Sequence, residues 1–144
     1  HIEKPEHRVD HILKLRELEE RAPGFLSFIP LKYSPQNTAL LLSGNESELG
    51  SPIYDLKVIA VSRLLLAGSI NNISVYWISL GKYVAQTALL YGGSDLVGTA
   101  FKEKIFRATG HAETATTEEL VNIIKETGRR PAERNTLYKI IEYF

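Results

Sequence analysis

The 144-residue chain contains no cysteine. That removes a disulfide framework, a thiolate zinc site and any iron–sulfur cluster held by this chain's own side chains. Methionine is absent too, so there is no initiator residue, and the first residues already stand inside a helix-start signal. We therefore expect a chain cut at its N-terminus. Net charge is also lacking: 17 lysines and arginines balance 17 aspartates and glutamates, which removes the electrostatic footprint of a general nucleic-acid binder. No stretch approaches the length of a membrane span and no signal-peptide pattern opens the sequence, so a cytoplasmic location is the default expectation. Repeats, low-complexity tracts and interdomain linkers are missing as well.

What is present fits an ordinary globular domain. The apolar fraction is 44% and the charged fraction 24%, enough for a core and not a disordered composition. Pro5 and Glu6 suit a first helical turn, and Val9, Ile12, Leu13 and Leu18 continue an apolar stripe to Pro23-Gly24. "FLSFIPL" (25–31) reads as a short buried strand, followed by a long polar connection over 32–52. "IYDLKVIAVSRLLLAG" (53–68) is an apolar helix, "NISVYWISLG" (72–81) a strand, "KYVAQTALLYGG" (82–93) a helix and "SDLVGTAF" (94–101) a third strand. "KEKIFRATG" reads as a short helix. "TTEELVNIIKETG" carries the capping box Thr116-x-x-Glu119 and stops at Gly128. "PAERNTLYKIIEYF", with Pro131 at its start, completes the chain as a last helix.

Strands separated by helical crossovers imply parallel pairing with helices outside. Three strands alone leave both sheet edges open. The expected fold class is therefore α/β: the C-terminal portion of a (β/α) TIM-like barrel with three parallel strands and outer helices (1–110), then a helical C-terminal extension (111–144). Open sheet edges would make such a chain self-associate.

Candidate sites follow from residue types. "EHRVDH" holds His7 and His11 at helical zinc spacing, but a zinc protease needs glutamate directly after the first histidine, where Arg8 stands. No third ligand is evident nearby, so a solvated polar helix face is the favoured reading and no metal is expected. "YGGSDLVGT" resembles a phosphate loop only superficially, because it precedes a strand and lacks the Walker lysine. The preferred reading is that Gly92 and Gly93 cap a helix and aim the chain into the third strand. Glu3 lies where barrel enzymes place catalytic groups if a strand precedes it, and is otherwise an ordinary partner for a helix dipole. Trp77 and Ser79 would share one face of the second strand, where a large aromatic is more often core than ligand platform.

Taken together, "HIE-x-P-x-x-R-V-D-H", "F-x-x-F-I-P-L", "P-x-N-T", "D-L-K-x-I-A-V-S-R-L-L-L", "Y-W-x-x-L-G-K", "A-Q-x-A-L-L-x-G-x-x-D-L-x-G-T" and "G-R-x-P-x-x-R-x-T-L-Y" resemble the C-terminal part of aminofutalosine synthase. The matches run in order from His1 to Tyr138. "HIEKPEHRVDH", "FIPL" and "VYW" are closer to that enzyme than to cyclic dehypoxanthine futalosine synthase or the deazaflavin-synthesis enzymes, which share the scaffold. One departure is "AERNT", with Asn135 where the resemblance leads us to expect an acid beside Arg134.

The resemblance implies a radical S-adenosylmethionine barrel of menaquinone biosynthesis, with a 4Fe–4S cluster on a C-x-x-x-C-x-x-C motif in the missing N-terminal half. A 5′-deoxyadenosyl radical would add to 3-[(1-carboxyvinyl)oxy]benzoate with loss of carbon dioxide. This chain alone would be inert, since the cluster ligands are absent. On that register Glu3 follows the fifth strand, and 25–31, the "ISVYWIS" stretch and "DLVGT" supply the sixth to eighth. Pro30, Trp77, Ser79, Asp95 and Thr99 would then line the cavity, Asn37 and Thr38 would sit over its mouth, and Lys32 is a candidate partner for a substrate carboxylate. His7 and His11 map onto an outer helix. The alternatives are a related radical enzyme on the same barrel, or a non-catalytic assembly module that pairs with a separate cluster-bearing chain.

Overall fold

A computed structural model describes residues 3–36, 38–42, 51–99, 104, 108 and 113–144. The first element, α1 (Pro5–Arg21), begins as its sequence dictates, with Pro5 in the first turn and Glu6 at the positive end of the dipole. His7 closes the start: its Nδ1 accepts the Lys4 backbone N–H at 3.3 Å. Among this helix's residues only Ile12 is buried, packing with Leu66 and Ile70 and edged by Leu15, Phe28 and Leu65. A short turn of helix, α2 (Ala39–Leu42), follows.

The next helix, α3 (Pro52–Leu66), is capped by Ser51, whose side chain accepts the Tyr54 N–H. Beyond it the chain runs extended through Ile73 and Ser74, then forms a single turn, α4 (Trp77–Leu80), and α5 (Lys82–Leu90). Helix α6 (Thr117–Glu126) carries the expected reciprocal cap between Thr116 and Glu119. The chain closes with β1 (Ala132–Arg134) and β2 (Ile140–Tyr143), paired antiparallel with Ala132 opposite Tyr143.

Three extended segments lie side by side. Isolated parallel bridges join Phe28 to Ile73 and Ser74 to Asp95, so the segment around residue 74 is central. The Ser74 amide donates to the Phe28 carbonyl at 2.9 Å and the Val75 amide to the Asp95 carbonyl at 2.7 Å. Ile73, Val75 and Trp77, all essentially inaccessible, point into a core shared with Ile59 of α3, Ala88 and Leu89 of α5 and Leu120 of α6. Ser74, also fully buried, alternates to the opposite face.

Gly93 is where α5 must come closest to the central segment. A Cβ there would stand 2.4 Å from Val75 Cγ2 and 3.0 Å from the Ala88 carbonyl, so no larger residue fits without displacement. Gly92, at φ +114°, makes the preceding turn. The glycine pair thus caps α5 and directs the chain toward Asp95.

Three local expectations are corrected. The last fourteen residues were expected as a helix, "PAERNTLYKIIEYF", but they fold as the β1–β2 hairpin, so the extension 111–144 is only partly helical. Asn135 breaks the helical path: its Oδ1 accepts the N–H groups of Leu137 and Lys139, at 2.9 and 3.0 Å, fixing a turn. Tyr138 then takes a positive φ of 60°, and the β-branched and aromatic residues after it suit a strand.

The strand expected over 72–81 stops before Trp77, because α4 begins there and Gly81, at φ +80°, ends it. Of the stretch "SDLVGTAF", Ala100 and Phe101 lie outside the described residues; among residues 94–99 only Asp95 forms a bridge, and the chain then turns at Val97 and Gly98, both at positive φ. Of the short helix expected after it, only Lys104 and Ala108 lie among the described residues, joined by an Ala108 N–H to Lys104 carbonyl bond of 3.2 Å. Among the described residues no helix is long and apolar enough to cross a membrane.

Candidate functional site

Polar groups converge on the face of the three segments opposite the helical core. Ser27 and Ser74 share a hydroxyl–hydroxyl contact of 2.9 Å, and Ser74 reaches the Tyr138 hydroxyl at 2.7 Å. Beside this chain of hydroxyls, Arg134 grips Asp95 with two prongs, Nε to Oδ2 at 2.6 Å and Nη2 to Oδ1 at 2.8 Å. The guanidinium also lies 3.9 Å from the Tyr138 ring centroid, a cation–π distance. Its acidity is weakened, first by the hydrogen bond to Asp95 and against the opposing effect of burial. The hairpin is therefore bound to the third segment by one ion pair and to the central segment by one hydroxyl chain, while the stacked Tyr138 ring steadies Arg134 from within the hairpin.

This geometry limits what Asp95 can do. Its carboxylate accepts both Arg134 prongs and also the Val97 N–H at 2.9 Å. A carboxylate so engaged has its acceptor sites taken up in holding structure. Arg134 takes its acid from Asp95, on a different segment, instead of from position 135. Asn135 is free to build the hairpin turn.

The other expected site residues fall in separate places. Glu3 is exposed and pairs loosely with Arg8, 3.5 Å away. Lys32, at the end of the first segment, makes a 2.7 Å ion pair with Asp55 of α3, and both side chains are largely covered. Any substrate carboxylate reaching Lys32 has to share it with Asp55. Thr38 donates to the Pro35 carbonyl at 2.6 Å and meets the Tyr33 hydroxyl at 3.0 Å. Pro30 and Thr99 are half-buried. Asn37 lies outside the described residues.

Trp77 and Ser79 do not share a cavity face. Trp77, 1% exposed, is core, and its Nε1 donates to the Gly98 carbonyl at 2.8 Å. Ser79 turns back to donate to the Tyr76 carbonyl at 3.0 Å within α4. A helix with 3.6 residues per turn separates positions that a strand would align.

Ser27, Ser74 and Tyr138 were not anticipated from the sequence. The available signal was a lone serine inside each apolar run, "FLSFIPL" and "NISVYW", since a buried hydroxyl needs a partner. Among the described residues there is no group of three or more histidine, cysteine, aspartate or glutamate side chains able to hold a metal ion.

Comparison with known proteins adds the following. A family model described as the CofH/MqnC C-terminal region matches residues 22–144. A curated relative from Methanothermobacter thermautotrophicus, named 5-amino-6-(D-ribitylamino)uracil--L-tyrosine 4-hydroxyphenyl transferase, is 40% identical over 144 residues, covering 99% of this chain and 39% of the relative. The protein of the same name from Methanocaldococcus jannaschii is 40% identical, covering 99% of this chain and 40% of its own length. One from Methanosarcina barkeri is 41% identical over 145 residues, covering 96% and 38%. The chain thus spans about two-fifths of the length of these relatives.

Proposed function

The chain belongs to the CofH/MqnC C-terminal region family, and on that premise we propose that it forms the C-terminal part of a radical S-adenosylmethionine transferase of deazaflavin synthesis. Its substrates on this reading are L-tyrosine and 5-amino-6-(D-ribitylamino)uracil. The observation that carries the reading is identity of 40% over 99% of the chain to relatives named for that transfer. This favours the deazaflavin alternative over aminofutalosine synthase, the expectation drawn from "HIEKPEHRVDH", "FIPL" and "VYW".

The parallel bridges at Phe28, Ile73, Ser74 and Asp95 support a place for this chain within a larger (β/α) barrel. The relatives' greater length supplies what would complete it. Exposed apolar residues at Leu26, Leu31, Ile140 and Ile141 mark the surface that such a completion would cover; left open, it favours self-association. Within that barrel Lys32, Tyr33 and Thr38 stand at the C-terminal end of the first segment, where barrel enzymes bind substrate. Lys32 is the group suited to an amino-acid carboxylate, with Asp55 holding it in place.

The donor set does not fit a resident iron–sulfur cluster. With no cysteine in the chain, the thiolates have to come from elsewhere in a longer protein. The chain by itself is accordingly expected to be inactive. Substituting it for the matching segment of the Methanothermobacter relative is expected to give turnover of tyrosine with the ribitylaminouracil when S-adenosylmethionine and reductant are supplied. A folded, cluster-loaded chimera that fails to consume tyrosine overturns the reading.

A further inference from the structure

A second polar constellation lies at the other end of the segments. Arg63 of α3 reaches across to Gly92, its Nε donating to that carbonyl at 2.8 Å and its Nη1 to the Asn71 carbonyl at 2.7 Å. Arg129, just after α6, donates Nη1 to the next carbonyl, that of Gly93, at 2.9 Å. Two guanidinium groups from distant parts of the chain therefore hang on consecutive carbonyls of one turn. The two charges are near enough that, after burial, Arg129 is a cause of the lowered proton affinity of Arg63.

Like charges so placed repel unless something negative stands between them. Every ion pair found among the described residues uses other cations: Arg8, Lys14, Arg16, Lys32, Lys82 and Arg134. Each guanidinium has five N–H donors in a planar fork. The bonds given above occupy two on Arg63 and one on Arg129. The remaining donors are a ready-made fork for oxygen acceptors.

We propose that Arg63 and Arg129 together bind an oxyanion at the Gly92–Gly93 turn. The site lies at the N-terminal ends of the 72–76 and 93–97 segments, away from Lys32 and Thr99, and is independent of the proposed transferase chemistry. Its ligand is a phosphate-type or carboxylate-type anion, held by charge and by bidentate hydrogen bonding and not by any apolar contact.

The test is an NMR titration of the arginine Nε–Hε resonances of the 144-residue chain at constant ionic strength. Separate arms use inorganic phosphate, acetate and chloride. The Arg63 and Arg129 signals are expected to shift together and saturably with phosphate or acetate, and not with chloride. The stronger of the two oxyanions identifies the source as a free phosphate or a protein carboxylate. Arg129→Gln, which leaves the Arg63 clamp in place, is expected to weaken binding about tenfold or more, while Arg129→Lys retains part of it. Equal shifts with chloride, or unchanged affinity in the Arg129→Gln chain, overturn the proposal.

Discussion

Replacing Asp95 by asparagine removes one charge while keeping the shape of the side chain. In the wild-type chain the carboxylate takes two bonds from Arg134, at 2.6 and 2.8 Å, with side-chain exposures of 14% for Asp95 and 24% for Arg134. A fully exposed pair contributes about 0–1 kcal/mol, whereas breaking a charge-assisted hydrogen bond to a partly covered guanidinium costs about 1.5–3 kcal/mol. The geometry is bidentate and mostly covered, so the loss should be about 2 kcal/mol. For a domain near 150 residues that corresponds to a melting-temperature decrease of roughly 4–8 °C. Urea unfolding of wild type, Asp95→Asn, Arg134→Gln and the double variant gives the coupling directly, expected at about 1–2 kcal/mol. An Asp95→Asn midpoint indistinguishable from wild type, or a coupling near zero, would refute the claim that this pair fastens the hairpin to the parallel segments.

Other outcomes follow from the same packing. Gly93→Ala places a methyl against Val75 and the Ala88 carbonyl and should destabilise by about 1–3 kcal/mol, measured by the same unfolding assay. Trp77→Phe keeps most of the buried ring but strands the Gly98 carbonyl, for a loss of about 1–3 kcal/mol; a neutral result would mean that water replaces the indole. Glu119 is held below the usual carboxylate range, first by the Thr116 N–H and then by Lys82. A depressed folded-state value means its support of α6 is present at neutral pH and fades as pH falls below about 4.3 through the folded value. Helix signals of α6 followed by NMR during acid titration should therefore weaken in that range, and in Glu119→Gln, whose helix is weaker already at neutral pH, the part of the change that belongs to residue 119 should be absent.

The helices were legible because their signals are local. Pro5 and the Thr116–Glu119 box each announce a helix start within a few residues, and the structure begins helices there; α3 starts at Pro52 behind its Ser51 cap, one residue before the start read from the sequence. The hairpin was not legible. "YKIIEYF" carries an apolar pattern compatible with either state, and the deciding group is the Asn135 side chain capturing two downstream amides. Trp77 misled for a related reason: a β-rich run continues through residue 79 in sequence, yet the structure forms α4 from Trp77 and places the indole at the Gly98 carbonyl. At the candidate site, Asp95 and Lys32 were identifiable as residues, but not their partners. Arg134 and Asp55 lie 39 and 23 positions away, and no local pattern encodes such pairings.

Substrate choice bears most directly on the proposed function. The chimera carrying this chain in place of the relative's own segment should be given L-tyrosine, the ribitylaminouracil and the enol-ether benzoate together, with products followed by mass spectrometry. The account predicts consumption of tyrosine and a new adduct on the uracil, with the benzoate untouched. Formation of aminofutalosine instead, or no product from a folded and cluster-loaded chimera, would contradict it.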